Sequence, residues 1–125
     1  MTENEIATIV YNLHKEILTN IGSGMLEHAY QEILAYELRE AGLKVSTEVE
    51  LPLQYKKLSI EKAYRIDILV EDKVILELKV VEKLLPVHAS QLLTYLKLSN
   101  KKLGLLLNFG GPYATSGIKR VVNGL

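Results

Sequence analysis

Hydrophobic residues recur at helical spacing in three parts of the chain. The first part covers residues 6–17 and follows Thr2 and Glu5, which have the spacing of a capping box. A second pattern opens near residue 23 and runs over residues 23–41, and a third begins at Pro86, a residue that is favoured in the first turn of a helix. These patterns predict three helices.

Extended segments occupy most of the remaining sequence. Residues 45–53 and a shorter run over residues 58–60 predict two strands, and Pro52 indicates that the first is an edge strand or contains a bulge. The apolar run at residues 103–108 suits a strand that is buried on both faces. The tail over residues 113–125 fits either a short helix or a closing strand. Strands and helices together predict the α/β class, with a mixed sheet that carries helices on its faces.

The segment over residues 64–79 predicts a hairpin whose turn is formed by residues 71–73. The apolar positions fix its register on one face, with the pairs Val70–Val74, Ile68–Leu76 and Ile66–Leu78. On the other face Asp67 then lies opposite Glu77, and Lys79 joins them because strand side chains alternate. A register slipped by one residue would bury an unpaired carboxylate, which costs several kcal/mol.

This arrangement of two acids and a lysine predicts metal chemistry. Two carboxylates a few ångströms apart repel each other, and a hard divalent cation removes that repulsion while it keeps several water ligands. A lysine beside them can orient or deprotonate one such water. The alternative is a solvent-facing surface with a Glu–Lys ion pair, worth about 0–1 kcal/mol. The same acid–any–lysine spacing occurs in the predicted turn at residues 71–73, so the placement on paired strands carries the hypothesis.

Several motifs of the chain resemble a known family. The run over residues 67–79 is similar to the PD-(D/E)xK nuclease superfamily, and residues 24–30 match the motif that names its small GxxExxY family. Further likeness at residues 88–97 and 107–110 extends the resemblance over nearly the whole chain. One departure is Ile66, which stands where the name of the superfamily has proline. The resemblance implies a restriction-endonuclease-like core and a metal-dependent nuclease that hydrolyses nucleic-acid phosphodiester bonds, with DNA as the expected substrate.

The same resemblance assigns roles to individual residues. Asp67 and Glu77 would hold Mg²⁺ or Mn²⁺, and Lys79 would be the catalytic lysine. Glu27 would be the first-helix acid that often completes such a metal site. Supporting or substrate contacts would come from Gln91, Tyr95 and Tyr30.

A wheel of about 100° per residue tests which helical residues face the sheet. On the second helix the wheel places Glu27 and Leu26 inward, whereas we expect Gln31 and Ala35 to face away. Without the resemblance, a capping or ion-pair role near the helix start explains Glu27 equally well.

On the third helix the inward arc holds His88, Gln91 and Tyr95. These three polar residues fit the edge of a site, although a satisfied core network is the alternative and is favoured for His88. The other two histidines, His14 and His28, are expected at outward or indifferent positions, and no serine partner suggests a hydrolytic triad.

The net charge of zero argues against tight binding of nucleic acid. Fifteen lysine and arginine residues balance fifteen aspartate and glutamate residues, whereas tight duplex binders usually carry a basic surplus. Contacts would then come from local clusters, for which the candidates are Lys56, Lys57, Lys62, Lys97, Lys101, Lys102, Lys119 and Arg120. The alternative function is a catalytically weak or inactive module for nucleic-acid binding or protein interaction that retains the nuclease fold.

Composition sets the remaining expectations. The 125 residues with 48% hydrophobic content predict a single domain over residues 1–125. The absence of cysteine excludes disulfides and thiolate metal sites, which leaves oxygen ligands and is compatible with the cytoplasm. No signal peptide, membrane span or phosphate-binding loop is recognisable, so we expect a soluble protein without a membrane partner or a nucleotide cofactor. A homodimer is plausible because so small a chain needs a second copy to span DNA.

Overall fold

The computed structural model describes residues 1–111 and 117–125. The elements in these ranges are α1 (Glu3–Ile21), α2 (Glu27–Glu40), β1 (Val45–Tyr55), β2 (Leu58–Val70), β3 (Val74–Lys79), α3 (Pro86–Ser99), β4 (Leu103–Asn108) and β5 (Ile118–Val122). The strands form one sheet in the order β1–β2–β3–β4–β5. Only the β3–β4 pair is parallel among these neighbours, and α3 is the crossover that connects its two strands. The predicted α/β class and mixed sheet are confirmed.

Helices cover both faces of the sheet. On one face α1 and α2 pack over the larger hydrophobic core, which includes Ile68, Leu76 and Leu105. On the other face α3 packs over a smaller core through Leu92 and Leu96. Strand β4 lies between these layers, and all six of its residues are buried, as its apolar sequence predicted. None of the helices in the described part of the chain has the length and apolar character that a membrane crossing requires.

The start of α1 is the predicted capping box. The Thr2 hydroxyl accepts a hydrogen bond from the Glu5 amide at 3.2 Å, and the Glu5 carboxylate accepts one from the Thr2 amide at 2.9 Å. For the last residues of the chain the sequence allowed either a helix or a strand. Residues 118–122 form the strand β5, and residues 112–116 lie outside the described ranges.

Helix α2 begins at Glu27, about one turn later than the sequence predicted. The Tyr30 hydroxyl accepts a hydrogen bond from the Met25 amide and donates one to the Gly22 carbonyl, and these bonds hold the segment before the helix in a non-helical loop. Leu26 is therefore the N-cap residue of α2, and its side chain is 83% exposed instead of facing the sheet.

The buried arc of α2 is also wider than predicted. Gln31 and Ala35 were expected to face away, but they are 5% and 1% exposed. The cause is α1, which packs along this side of α2 in addition to the sheet below it. Gln31 lies only about 40° from Glu27 on a wheel of 3.6 residues per turn, so its burial agrees with helical geometry.

Strands β1 and β2 form a long antiparallel ribbon. The run at residues 58–60 and the first strand of the predicted hairpin belong to the single strand β2. The register of the ribbon shifts between Leu51 and Leu53, and β1 is an edge strand, so both expectations for Pro52 are confirmed. Lys56 and Lys57 form the turn that joins the two strands, and Lys56 has a positive φ of 52°.

Candidate active site

The ladder between β2 and β3 ends at the point where two acids face each other. The predicted pairs Val70–Val74 and Ile68–Leu76 are present. The predicted pair of Ile66 with Leu78 is not part of the ladder. Asp67 and Glu77 therefore lie at the place where the two strands separate.

Two side-chain hydrogen bonds replace the missing ladder bonds. The Asp67 amide donates to Glu77 Oε1 at 3.0 Å. In return, the Leu78 amide donates to Asp67 Oδ2 at 2.9 Å. Each carboxylate thus satisfies an amide of the opposite strand, which fixes both side chains against the backbone.

The strand alternation is interrupted at Asp67. Ile68 packs in the larger core, whereas Ile66 packs in the smaller core beside α3. The expectation that both face the same side is wrong. The reason lies in the neighbouring strand: the β1–β2 pairing omits Glu48 opposite Asp67, and Glu48 has a left-handed φ of 53°. Such a residue breaks the regular pleat, and the ribbon turns its apolar residues to the other face of the sheet beyond this point.

Burial raises the pKa of both carboxyl groups, and the charge of Asp67 adds to the shift at Glu77. Glu77 is 5% exposed, and burial together with the nearby Asp67 charge raises its pKa to about 8. Burial also raises the pKa of Asp67, although the Leu78 amide and the charges of Lys79 and Arg65 oppose that shift. We infer that the pair retains a proton near neutral pH, which a bound cation would displace.

The donor set suits a hard divalent cation. Two carboxylates with raised pKa values gain from a nearby positive charge, and Mg²⁺ is commonly bound through one or two carboxylates plus water and substrate oxygens. Within residues 1–111 and 117–125, no cluster of three or more acids, histidines or cysteines is close enough to hold a metal ion. The structure therefore offers a site with two carboxylates, not a complete protein cage.

Lys79 lies two residues beyond Glu77 at the end of β3. It pairs with Asn108 in the parallel ladder, and its carbonyl accepts a hydrogen bond from the Phe109 amide at 2.8 Å. Its positive charge lowers the pKa of both Asp67 and Glu77, so the ammonium is near the pair. Among the described residues this ammonium has no ion-pair partner within 4.0 Å, which leaves it available to a substrate.

Asn108 fixes the chain just after Lys79. Its side chain is 4% exposed, accepts hydrogen bonds from the amides of Val81 and Gly110 at 3.1 and 2.9 Å, and donates one to the Val81 carbonyl at 2.9 Å. The chain can approach this closely because Gly110 has no side chain: a Cβ atom there would lie 2.7 Å from the Val81 nitrogen and oxygen. The exit of β3 is thereby held at a defined position.

His14 supports Asn108 from α1. It is 1% exposed, contrary to the expectation of an outward position, and its Nε2 lies 2.7 Å from the Asn108 carbonyl oxygen. Since the carbonyl can only accept, Nε2 carries the proton. Burial lowers the pKa of His14. The sequence contained the signal, because His14 follows Val10 by four residues and precedes Ile17 by three.

Glu27 is the first residue of α2 and approaches the pair from the helix side. The expected inward position of Glu27 is wrong, because the residue is exposed. Partial burial still raises its pKa, and the Asp67 charge adds to that shift while Lys79 opposes it. Glu27 is thus within electrostatic range of both residues. It does not join them in a group of three ligands.

Tyr30 connects the start of α2 to Phe109, the residue that follows β4. Its ring is fully buried and stacks on Phe109, with ring centroids 4.5 Å apart and an interplanar angle of 14°. Its hydroxyl holds the loop that precedes Glu27. Tyr30 therefore positions Glu27 and does not face the carboxylate pair itself. Nothing in the structure explains Gly24, where an added Cβ would meet no atom within 4 Å.

The predicted residues of α3 are divided between core and surface. Tyr95 is 5% exposed, and burial, followed by the charges of Glu77 and Asp67, raises its pKa to about 12. Gln91 is exposed, so its expected inward position is wrong. His88 caps the helix, because its Nδ1 accepts a hydrogen bond from the Leu85 amide at 3.0 Å.

Sequence reasoning missed Gln31, which lies one helical turn after Glu27. The Nε2 atom of Gln31 is buried and has no hydrogen-bond partner in the described part of the chain. An unpaired buried donor costs about 1–3 kcal/mol. The four-residue spacing from Glu27 was the signal that could have identified it.

Comparison with known proteins agrees with this geometry. A family model described as the PD-(D/E)XK nuclease superfamily matches residues 4–121. The matched range contains Asp67, Glu77, Lys79 and Glu27, and the mixed sheet between helices is consistent with a restriction-endonuclease-like core. Neither the curated proteins nor the solved structures gave a match.

The metal-free protein should lose stability as the pH rises from about 7 to about 8. The folded protein keeps a proton on Glu77, whose pKa is about 8, whereas an unfolded chain has lost that proton by about pH 5. The folded state binds more protons in this window, so the free energy of unfolding falls with pH. His14 has the opposite effect, since burial lowers its pKa, but its contribution is constant above about pH 7 where both states are neutral.

Urea unfolding in a chelating buffer at about pH 7 and about pH 8.5 measures this loss. Glu77→Gln retains an acceptor for the Asp67 amide but cannot titrate, so most of the pH dependence should disappear in this variant. Glu16→Gln, at an exposed position on α1, is the matched control and should behave like the wild type. An equal loss of stability in the wild type and in Glu77→Gln would contradict the assignment.

Asn108→Ala should destabilise the protein by about 2–4 kcal/mol, because the substitution leaves three polar groups of the β3 exit without their partners. Asn123→Ala is the control, since that side chain makes one described hydrogen bond, to the Lys101 carbonyl, and should cost about 1 kcal/mol. Urea unfolding compares the two variants, and equal losses would show that the Asn108 side chain has no special role.

Proposed function

The chain belongs to the PD-(D/E)XK nuclease superfamily, and from this premise we propose that it hydrolyses phosphodiester bonds of nucleic acid with the help of a divalent cation. The expected cation is Mg²⁺, with Mn²⁺ as a substitute, and the expected substrate is DNA. The observation that carries the proposal is the pair Asp67 and Glu77, which meet where β2 and β3 separate and lie beside an ammonium without an ion-pair partner among the described residues.

Asp67 and Glu77 would hold the cation through the carboxylate oxygens that are not used by backbone amides. When bound, such a cation supplies positive charge for the phosphate and lowers the pKa of a water molecule. The raised pKa values of the two acids support this role, because a nearby cation offsets the burial that raises both of them and the Asp67 charge that adds to the shift at Glu77.

Lys79 would orient the attacking water and offset the negative charge that develops on the scissile phosphate. Its fixed backbone favours this role, since the β3–β4 ladder and the Phe109 amide hold the residue at the strand end. A lysine whose ammonium is not tied to a neighbouring carboxylate can bind the substrate without first breaking an ion pair.

The other candidate residues would act around this centre. Glu27 would contribute a third acid once the substrate or the metal is bound. Tyr30 would hold the start of α2 in place. Tyr95 would line the site beside Glu77. Gln91, at an exposed position one turn earlier on α3, would contact the substrate.

Three finer expectations belong to the same proposal. The placement of Glu27 at the first position of α2 and of Tyr30 under the preceding loop gives the glutamate and the tyrosine of the GxxExxY motif a physical role, which supports membership in that small family. The cysteine-free sequence is compatible with a location in the cytoplasm. A homodimer would let a chain of this size act on both strands of DNA.

Titration calorimetry of Mg²⁺ and Mn²⁺ into the wild type should detect binding that is lost in Glu77→Ala, and cleavage of mixed DNA and RNA substrates should require the same ions. Lys79→Ala should lower cleavage at least about 100-fold while metal binding persists, because the lysine acts on water and phosphate and not on the metal.

The turn at residues 71–73 supplies a matched control, since Lys73 ends a second acid–any–lysine sequence on the same hairpin. Lys73→Ala should leave cleavage unchanged. Absence of metal binding in the wild type would refute the proposal. Metal binding without cleavage of any substrate would favour the alternative, a binding module that retains the nuclease fold.

A further inference from the structure

Among the strands of the described ranges, none other than β1 and β2 pairs with the far end of the β1–β2 ribbon. We call residues 53–63 the ribbon arm; its residues 54–62 are all exposed. β2 pairs with β3 only over residues 68–70, so the arm is held by pairing between its own two strands. Both faces of the arm therefore remain open to contact with another molecule.

Positive charge is concentrated on the arm. It contains three lysines, Lys56, Lys57 and Lys62, and one acid, Glu61, so its formal charge is +2 in a chain whose net charge is zero. Lys62 has an ion-pair partner, Glu50, at 3.9 Å. The two lysines of the turn make no ion pair with any residue in the described ranges, so their charges are available to an anionic partner.

The arm also exposes apolar surface next to these charges. Paired residues of an antiparallel ladder share a face, so Tyr55 with Leu58 and Leu53 with Ile60 form one apolar side. Tyr55 and Leu58, which flank the turn, are 62% and 56% exposed. The arm thus combines a cationic tip with an aromatic and an aliphatic side chain, a combination that suits contact with both phosphates and bases.

Strand β2 connects the arm directly to the candidate active site. Asp67 lies on this strand, and the cations Arg65 and Lys62 follow in the direction of the tip. Arg65 is exposed, and its ion pair with Glu48 is long, at 4.0 Å. Two cations, each within 4.0 Å of an acid on β1, therefore lie between the carboxylate pair and the turn at Lys56 and Lys57.

We propose that the ribbon arm binds a duplex nucleic acid on one side of the scissile phosphate. This inference rests on the proposed function for the position of the cleaved bond. A two-stranded ribbon fits the major groove, which is about 12 Å wide. From the Tyr55–Leu58 pair to Asp67 the ribbon takes nine positions on β2 but seven on β1, because the register shifts between Leu51 and Leu53. Seven positions at about 3.3 Å each correspond to about 23 Å, or roughly seven base pairs at 3.4 Å each. The protein therefore needs about seven base pairs of duplex beyond the cleaved bond.

A second copy of the chain is the competing occupant, and two observations disfavour it. Each arm would bring Lys56 and Lys57 to the contact, so tip-to-tip packing places like charges together. The apolar side consists of four residues, whereas a stable interface buries about 800 Å² on each partner and involves about 20–30 residues.

Fluorescence anisotropy with labelled duplexes of about 5 and about 30 base pairs tests the inference, with Asp67→Asn as the background that prevents cleavage. Adding Lys56→Gln and Lys57→Gln should weaken binding to the long duplex about tenfold and make the slope of log K against log salt less negative by roughly 2. Binding to the short duplex should change less than about twofold, because it ends before the arm. Lys15→Gln with Lys44→Gln is the matched control, since both lysines are exposed, lie outside the arm and carry the same total charge.

Equal affinity of the background protein for short and long duplexes, or an unchanged salt slope in the arm variant, would overturn the inference. So would sedimentation data in which Leu58→Ser converts a dimer to a monomer while the arm lysines have no effect on nucleic-acid binding. Length-dependent binding through the arm, in a wild type that cleaves no substrate, would uphold the inference and refute the proposed nuclease. Cleavage that does not depend on duplex length or on the arm lysines would support the proposed nuclease and overturn the inference about the arm.

Discussion

The site depends on two carboxylates that take the place of main-chain carbonyls between β2 and β3. The ladder ends at Ile68 and Leu76. Beyond this pair the strands separate, and each acid accepts a hydrogen bond from one amide of the opposite strand. This arrangement orients both carboxylates, and it also buries them, which raises their pKa values. The hydrogen bonds therefore set the geometry of the site and lower both pKa values, whereas burial outweighs them and creates the need for a positive charge.

The hairpin could be predicted from the sequence because a slip of one residue would bury Glu77 among apolar side chains. That constraint identified the pairing of Ile68 with Leu76 and the meeting of Asp67 with Glu77. It could not identify the face of Ile66. The change of face depends on Glu48, a non-glycine residue in the left-handed region that belongs to a different strand. The alternation of apolar and polar residues along β2 contains no sign of this irregularity.

The helix wheels predicted burial only in part. Tyr95 is buried on α3 as its wheel predicted, whereas Gln91, which was predicted on the same inward arc, is exposed. On α2 the prediction was wrong for Gln31 and Ala35, because a second helix covers that side. A wheel assigns directions but does not tell how many neighbours a helix has, so the helix–helix contact was the information that the sequence lacked. His14 was missed for a different reason, since its spacing alone already placed it on the buried side.

Phe109 explains how residues from distant parts of the chain keep a fixed relation. Its amide holds the carbonyl of Lys79, and its ring stacks on Tyr30, whose hydroxyl closes the loop before Glu27. His14 packs against the same ring at 4.7 Å. The lysine and the helix acid are therefore tied to one buried aromatic residue on the α1–α2 side of the sheet. Protein interiors are densely packed and transmit displacement, so a change at Phe109 would move both residues together, whereas Tyr95 is held independently by the smaller core under α3.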